Sequence, residues 1–161
     1  MKNTLKFVAV TALITLASGS LYAQNVDVKN AWVRASVQGQ KATGAFMQLT
    51  ASQPTTLVGV ASPVAGVAEV HEMKMDGDVM RMRALPQGLP LPAGQPVALT
   101  PGGYHVMLMD LKATLPKDST IPLTLTFKDA KGVQSRLELT LPVATSAPGG
   151  AQAAGHAQHK H

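Results

Sequence analysis

The sequence predicts a small all-β sandwich or Greek-key barrel, on three observations. Seven or eight short strand-like runs fit into some 120 residues, several of them alternate apolar and polar residues with period two, and 14 Gly and 11 Pro supply the turns between them. The runs, in order, are Val26–Ala35, Thr43–Thr50, Thr56–Ala61, Val67–Met75, Asp78–Leu85, Tyr104–Leu111, Ile121–Phe127 and Val133–Leu141. The alternation is clearest near the end, where Leu123, Leu125 and Phe127 are interleaved with Thr124 and Thr126, and Leu137, Leu139 and Leu141 with Glu138 and Thr140. Two connections are marked. Asp76-Gly77 is a two-residue hairpin signal, because Gly tolerates the positive φ of such a turn, and Asp129-Ala130-Lys131-Gly132 is a looser one. Five prolines from Pro86 to Pro101 cannot donate to a ladder, so this stretch is expected to be a stiff loop. No internal repeat is present.

The N-terminus sets the compartment. Lys2 and Lys6 precede an uncharged, mostly apolar run from Phe7 to Ala17, and small residues lead to Ala23. This is the layout of a secretory signal peptide spanning residues 1–23, with the periplasm as the expected address. The run is too short to cross about 30 Å of hydrocarbon as a helix, and no later run approaches membrane-spanning length. Residues 24–144 are expected to form the β-domain. From residue 145 onward Ala, Gly, Pro and Gln leave little to bury, so residues 145–161 are expected to be a flexible tail. It carries three of the five histidines, His156, His159 and His161.

Composition excludes several chemistries. With no cysteine there is no disulfide scaffold, thiolate zinc site, iron–sulfur cluster, blue-copper centre, cysteine nucleophile or sulfur-linked lipid site. After removal of residues 1–23 the chain holds twelve Lys and Arg against nine Asp and Glu. It has no basic stripe with interleaved aromatics, so nucleic-acid binding is not supported. Neither histidine of the body lies in a recognisable catalytic triad motif.

Methionine is the anomaly. Beyond Met1 and Met47, six methionines lie between Met73 and Met109, and the two histidines of the body, His71 and His105, bracket the same region. If Asp76 and Gly77 form the loop, Met75 faces Asp78, Met73 faces Met80, His71 faces Met82 and Glu72 faces Arg81. Residues two apart share a face of a strand, so His71, Met73, Met75, Met80 and Met82 project from one side of the hairpin. His105, Met107 and Met109 share a face of a later strand, opposite Tyr104, Val106 and Leu108. Methionines often only fill gaps in a core. Two faces combining imidazole with thioether, however, offer soft neutral donors that favour Cu(I) over zinc, calcium or magnesium. Protonated imidazole cannot ligate whereas thioether is indifferent to pH, so such a site loses metal in acid.

These residues resemble the periplasmic copper chaperone family PCu(A)C, whose signature is a His, ten residues, Met, about twenty-one residues, and His-x-Met. Here ten residues separate His71 from Met82, 22 residues separate Met82 from His105, and His105-Val106-Met107 closes the pattern. The additional residue fits the Pro86–Pro101 stretch, where insertions cost little. The position after His71, often Met in the family, is Glu72, which by alternation points away from the site. The resemblance implies a cupredoxin-like Greek-key fold binding Cu(I) through His71, Met82, His105 and Met107. Met73 and Met80 are auxiliary candidates, and Met75 and Met109 are expected to be packing or supporting residues. It further implies a non-enzymatic role with a copper-accepting or copper-donating periplasmic partner, such as a cytochrome oxidase subunit with its CuA centre or an assembly factor. The tail histidines His156, His159 and His161 are candidates for Cu(II), which imidazole accommodates better than thioether does. Copper storage or detoxification would use the same ligands, and a metal-free structural β-sandwich would use none of them. An electron-transfer protein of the blue-copper type is disfavoured by the missing thiolate.

Overall fold

The computed structural model describes residues 25–148. Ten strands occupy them and, among the described residues, there is no helix. In chain order they are β1 (Val26–Arg34), β2 (Ala42–Ala51), β3 (Thr55–Ala61), β4 (Ala65–Asp76), β5 (Val79–Ala84), β6 (Leu89–Leu91), β7 (Pro96–Leu99), β8 (His105–Leu111), β9 (Thr120–Asp129) and β10 (Gln134–Ala144). They follow one hydrogen-bonded path, β5-β4-β8-β2-β1-β10-β9-β3-β6, with β7 on β2. Among the ten described strands, the seam between β1 and β10 is the parallel pairing, holding only Val33 beside Val143 and Arg34 beside Ala144. The two halves on either side of that seam turn their apolar faces into a single core. Val33, Leu49, Val106 and Leu108 come from one half, and Leu57, Leu123, Leu125 and Leu141 from the other. The period-two alternation of β8, β9 and β10 is what places these residues inward. The all-β sandwich expected from the sequence is the fold observed.

Two expectations of local structure are corrected. The Pro86–Pro101 stretch is not a plain loop, since β6 and β7 lie within it. Its prolines sit where strands tolerate them: Pro90 lies on β6, the outermost strand of the path, and Pro96 is the first residue of β7. The β4–β5 hairpin turns on Gly77-Asp78 rather than Asp76-Gly77, because Asp76 is already paired with Val79. Gly77 has φ +64° and Asp78 does not share a positive φ, the sign pattern of a type II′ turn with Gly in its first central position. Each residue of β4 therefore meets a partner two positions further along β5 than expected. The pairs are His71↔Ala84, Glu72↔Arg83, Met73↔Met82, Lys74↔Arg81 and Met75↔Met80. A slip of one residue would have inverted the faces, whereas a slip of two preserves them. His71, Met73, Met75, Met80 and Met82 thus share a side, as predicted. On the other side Glu72 pairs with Arg83, and Arg81 reaches Asp76 at 2.9 Å.

On β1 the register slips between Lys29 and Trp32, with Asn30 at φ +53°, a bulge that re-aims the strand. Beyond it Trp32 stands opposite Phe46, ring centroids 4.8 Å apart, and the Arg34 guanidinium lies 5.3 Å from the Phe46 centroid. Gly44 makes room for this ring: a Cβ there would come within 2.7 Å of Phe46 Cζ.

Truncating Leu57→Ala, a fully buried side chain, is expected to lower unfolding free energy by about 2–5 kcal/mol in urea titration. Gly77→Ala is expected to cost about 1–2 kcal/mol through the left-handed backbone alone; an unchanged midpoint would contradict the turn described.

Candidate metal centre

β4 and β8 are antiparallel neighbours in the register Glu69↔Met107, Val70↔Val106 and His71↔His105. Val70, Val106 and Leu108 enter the core. Alternation then places Glu69, His71, His105 and Met107 together on the opposite face. That face is sheltered at this point, since His71 and His105 are only 8% and 7% exposed. Their ring centroids lie 5.8 Å apart, edge to face.

The hydrogen bonds define which nitrogen of each ring is free. Carbonyl and carboxylate oxygens only accept, so a neutral imidazole beside one must carry its proton on the adjacent nitrogen. His105 Nδ1 donates to the Gly103 carbonyl at 3.1 Å, and the same oxygen accepts the Met73 N–H at 3.2 Å. This leaves Nε2 of His105 with its lone pair, and it lies 3.2 Å from Met82 Sδ. Two lone-pair donors at that separation do not hydrogen-bond to each other; they converge. His71 Nε2 lies 2.9 Å from the Glu69 carboxylate, while its Nδ1 is buried and has no hydrogen-bond partner in the protein. An unpaired buried polar atom costs about 1–3 kcal/mol, so this lone pair is open to a further partner. Carboxylate and backbone carbonyl holding the far nitrogen of each ring is the arrangement that orients metal-ligating histidines and fixes their tautomers.

A hollow of about 290 Å³ opens beside these groups, with His105, Met73, Met82 and Met107 on one side and Gly44 and Phe46 on another. Met82 thus reaches His105 from β5, although the residue opposite it is Met73 and not His71. His71 does not line the hollow; its ring centroid lies 5.8 Å from that of His105, which does. Met80 stands opposite Met75, nearer the hairpin tip and outside the hollow, so it is separated from Met73, which it was expected to face. Met109 lies between Ala42 and Val67 and is also outside. Residues His156, His159 and His161, like the segment 1–23 expected to be a signal peptide, lie outside the described residues.

Sequence reasoning missed Glu69 and Gly103. The signal for Glu69 was available, since it lies two residues before His71 and therefore shares its face. Gly103 had none, because a carbonyl carries no side-chain signature. Among the described residues no three His, Asp or Glu side chains group to hold a metal; the side chains that meet at the hollow include the His105 imidazole and the Met73, Met82 and Met107 thioethers. A larger cavity, about 590 Å³, lies beside the β9–β10 hairpin, and no described His or Met lines it.

A model of the LpqE-like lipoprotein family matches residues 26–143, from the start of β1 to the next-to-last residue of β10. The chain belongs to this family. It is 36% identical over 107 residues to Lxx21020 of Leifsonia xyli subsp. xyli (strain CTCB07), whose name also describes a lipoprotein; the match covers 66% of this chain and 64% of that protein. This sequence itself contains no cysteine. Among solved structures, the fold is similar to that of the Cu(I) form of DR1885 from Deinococcus radiodurans, with TM-score 0.58, 30% identity, and coverage of 80% of this chain and 83% of that one. The copper-bound PCuAC domain from PmoF2 gives TM-score 0.55 at 25% identity, covering 77% and 94%. The apo PCuAC domain from PmoF1 gives TM-score 0.56 at 25% identity, covering 77% and 95%.

Long-range ¹H–¹⁵N spectra of the metal-free protein at neutral pH are expected to report the Nδ1–H tautomer for His105 and the Nε2–H tautomer for His71. Glu69→Ala is expected to convert His71 to a tautomer mixture while leaving His105 unchanged.

Proposed function

We propose that this protein is a copper-binding metallochaperone of the cell envelope. It holds Cu(I) by His71, His105, Met82 and Met107, with Met73 as the auxiliary thioether, and passes the ion to a partner protein. The observation that carries this reading is the 3.2 Å approach of His105 Nε2 to Met82 Sδ, with the other ring nitrogen already occupied by the Gly103 carbonyl. Free, soft, neutral donors of this kind select a monovalent soft ion. The second support is the likeness to the copper-bound PCuAC domain from PmoF2 and to the Cu(I) form of DR1885. Met82 is 47% exposed, so one ligand stands at the surface where an incoming thioether or imidazole can replace it. Transfer is then stepwise ligand exchange, with no covalent bond broken in a substrate and no catalytic group required.

The signal-like segment 1–23 and the lipoprotein family agree with export, and the periplasm is the compartment we propose. The recipient we propose is a copper site such as the CuA centre of cytochrome oxidase, or a factor that assembles it. The tail histidines His156, His159 and His161 would add imidazole donors for Cu(II).

Anaerobic Cu(I) titration against a competing chelator tests the main site. One equivalent is expected at the body, weakened at least tenfold, on the order of the loss seen when metal-site residues are changed, by either His105→Ala or the pair Met82→Leu and Met107→Leu. Unchanged affinity in both variants, each folded by circular dichroism, would overturn the reading. Cu(II) binding present in the full chain and lost on removing residues 145–161 would assign the tail.

A further inference from the structure

We propose that the tip of the β4–β5 hairpin carries a second, outer soft-metal site, a pair of thioethers from Met75 and Met80 that takes up Cu(I) before it reaches the inner ligands. The proposal rests on the copper reading above and extends it to residues outside the PCu(A)C-like pattern.

The argument starts from register. Met75 is directly opposite Met80, and the next pair on the same face is Met73 opposite Met82. The hairpin therefore bears two successive rungs made wholly of methionine. Opposed Cβ atoms lie about 4.5–5.5 Å apart, and successive rungs on one face are about 6.8 Å apart along an antiparallel strand. Methionine has three rotatable side-chain bonds, so both sulfurs of a rung can reach a common ion, and a sulfur of one rung can reach an ion held on the next. The inner rung is continuous with the imidazole site, because Met82 Sδ lies 3.2 Å from His105 Nε2.

Packing does not explain the outer rung. Met47 is a gap-filling methionine, fully within the core. By contrast Met75 is 53% and Met80 50% exposed, on a hairpin whose strand β5 is an uncovered sheet edge. Leucine or valine would serve a strand edge equally well, and charged residues would protect it better. What methionine adds at a wet surface is a neutral soft donor that protons do not block. Charge agrees with transit rather than retention. The nearby Asp76 and Glu72 carboxylates are occupied by Arg81 and Arg83 on the opposite face, so neither is free to hold an ion at the outer rung. A two-thioether site of this kind holds its ion weakly and releases it inward, to three or four donors.

The test uses the full chain labelled with ¹³C at the methionine methyls and titrated with Ag(I), a redox-inert stand-in for Cu(I), with resonances assigned by single Met→Leu variants. The first equivalent is expected to shift Met82 and Met107, and the second to shift Met75 and Met80 in fast exchange. In the Met75→Leu, Met80→Leu variant the first event is expected to persist with unchanged affinity and the second to vanish. Cu(I) uptake from a competing chelator is expected to slow severalfold. If Met82 and Met107 shift while Met75 and Met80 do not, the outer site is wrong and the inner site stands. If none of the four shifts, both readings fall. If Met75 and Met80 shift but uptake is as fast in the double variant, the pair binds metal without lying on the route, and the entry role is overturned.

Discussion

The arrangement depends on one constraint, the pairing of β4 with β8 in a register that puts Val70 beside Val106 and His71 beside His105. Burial of the valines leaves no freedom to the histidines. A one-residue slip of β4 against β8 would turn Val70 to the outer face and push the His71 imidazole into an apolar core, where its nitrogens would need partners. The hydrophobic core thus fixes the position of the polar site on its far side. The same pairing brings Glu69 next to Met107 and lets its carboxylate orient the His71 ring. The site is accordingly a consequence of how the sheet is held rather than an addition to it.

The donors are prepared from behind. Gly103 O takes His105 Nδ1 and also the Met73 backbone N–H. The turn before β8 is therefore tied to β4 through the same atom that sets the tautomer. Phe46 closes one side of the hollow, on a backbone opened by Gly44. Backbone carbonyl, carboxylate and aromatic wall come from three separated parts of the chain and meet only in the folded protein.

Alternation made most of this visible in the amino-acid order. The faces of β4, β5 and β8 follow from period two alone, and they survive an error in the turn because the slip was even. The turn itself was misassigned because Asp76-Gly77 and Gly77-Asp78 are both acceptable hairpin centres locally; the choice is made by pairing along the whole of β4 and β5. Strands β6 and β7 were hidden by Pro90, Pro92 and Pro96, which argue against a strand wherever the edge position is unknown. Which methionine meets His105 needed rotamers and a real register, and the donation to Gly103 O left no trace in residue type. The likeness to PCuAC domains agrees with the all-β fold that the alternation predicted.

The protein has a single tryptophan, and the bulge in β1 sets it against Phe46, whose ring borders the hollow. Anything that fills this space must press on the aromatic ring beside the indole. Trp32 is therefore a built-in optical reporter, whose intrinsic fluorescence can follow occupancy of the neighbouring hollow in unlabelled protein.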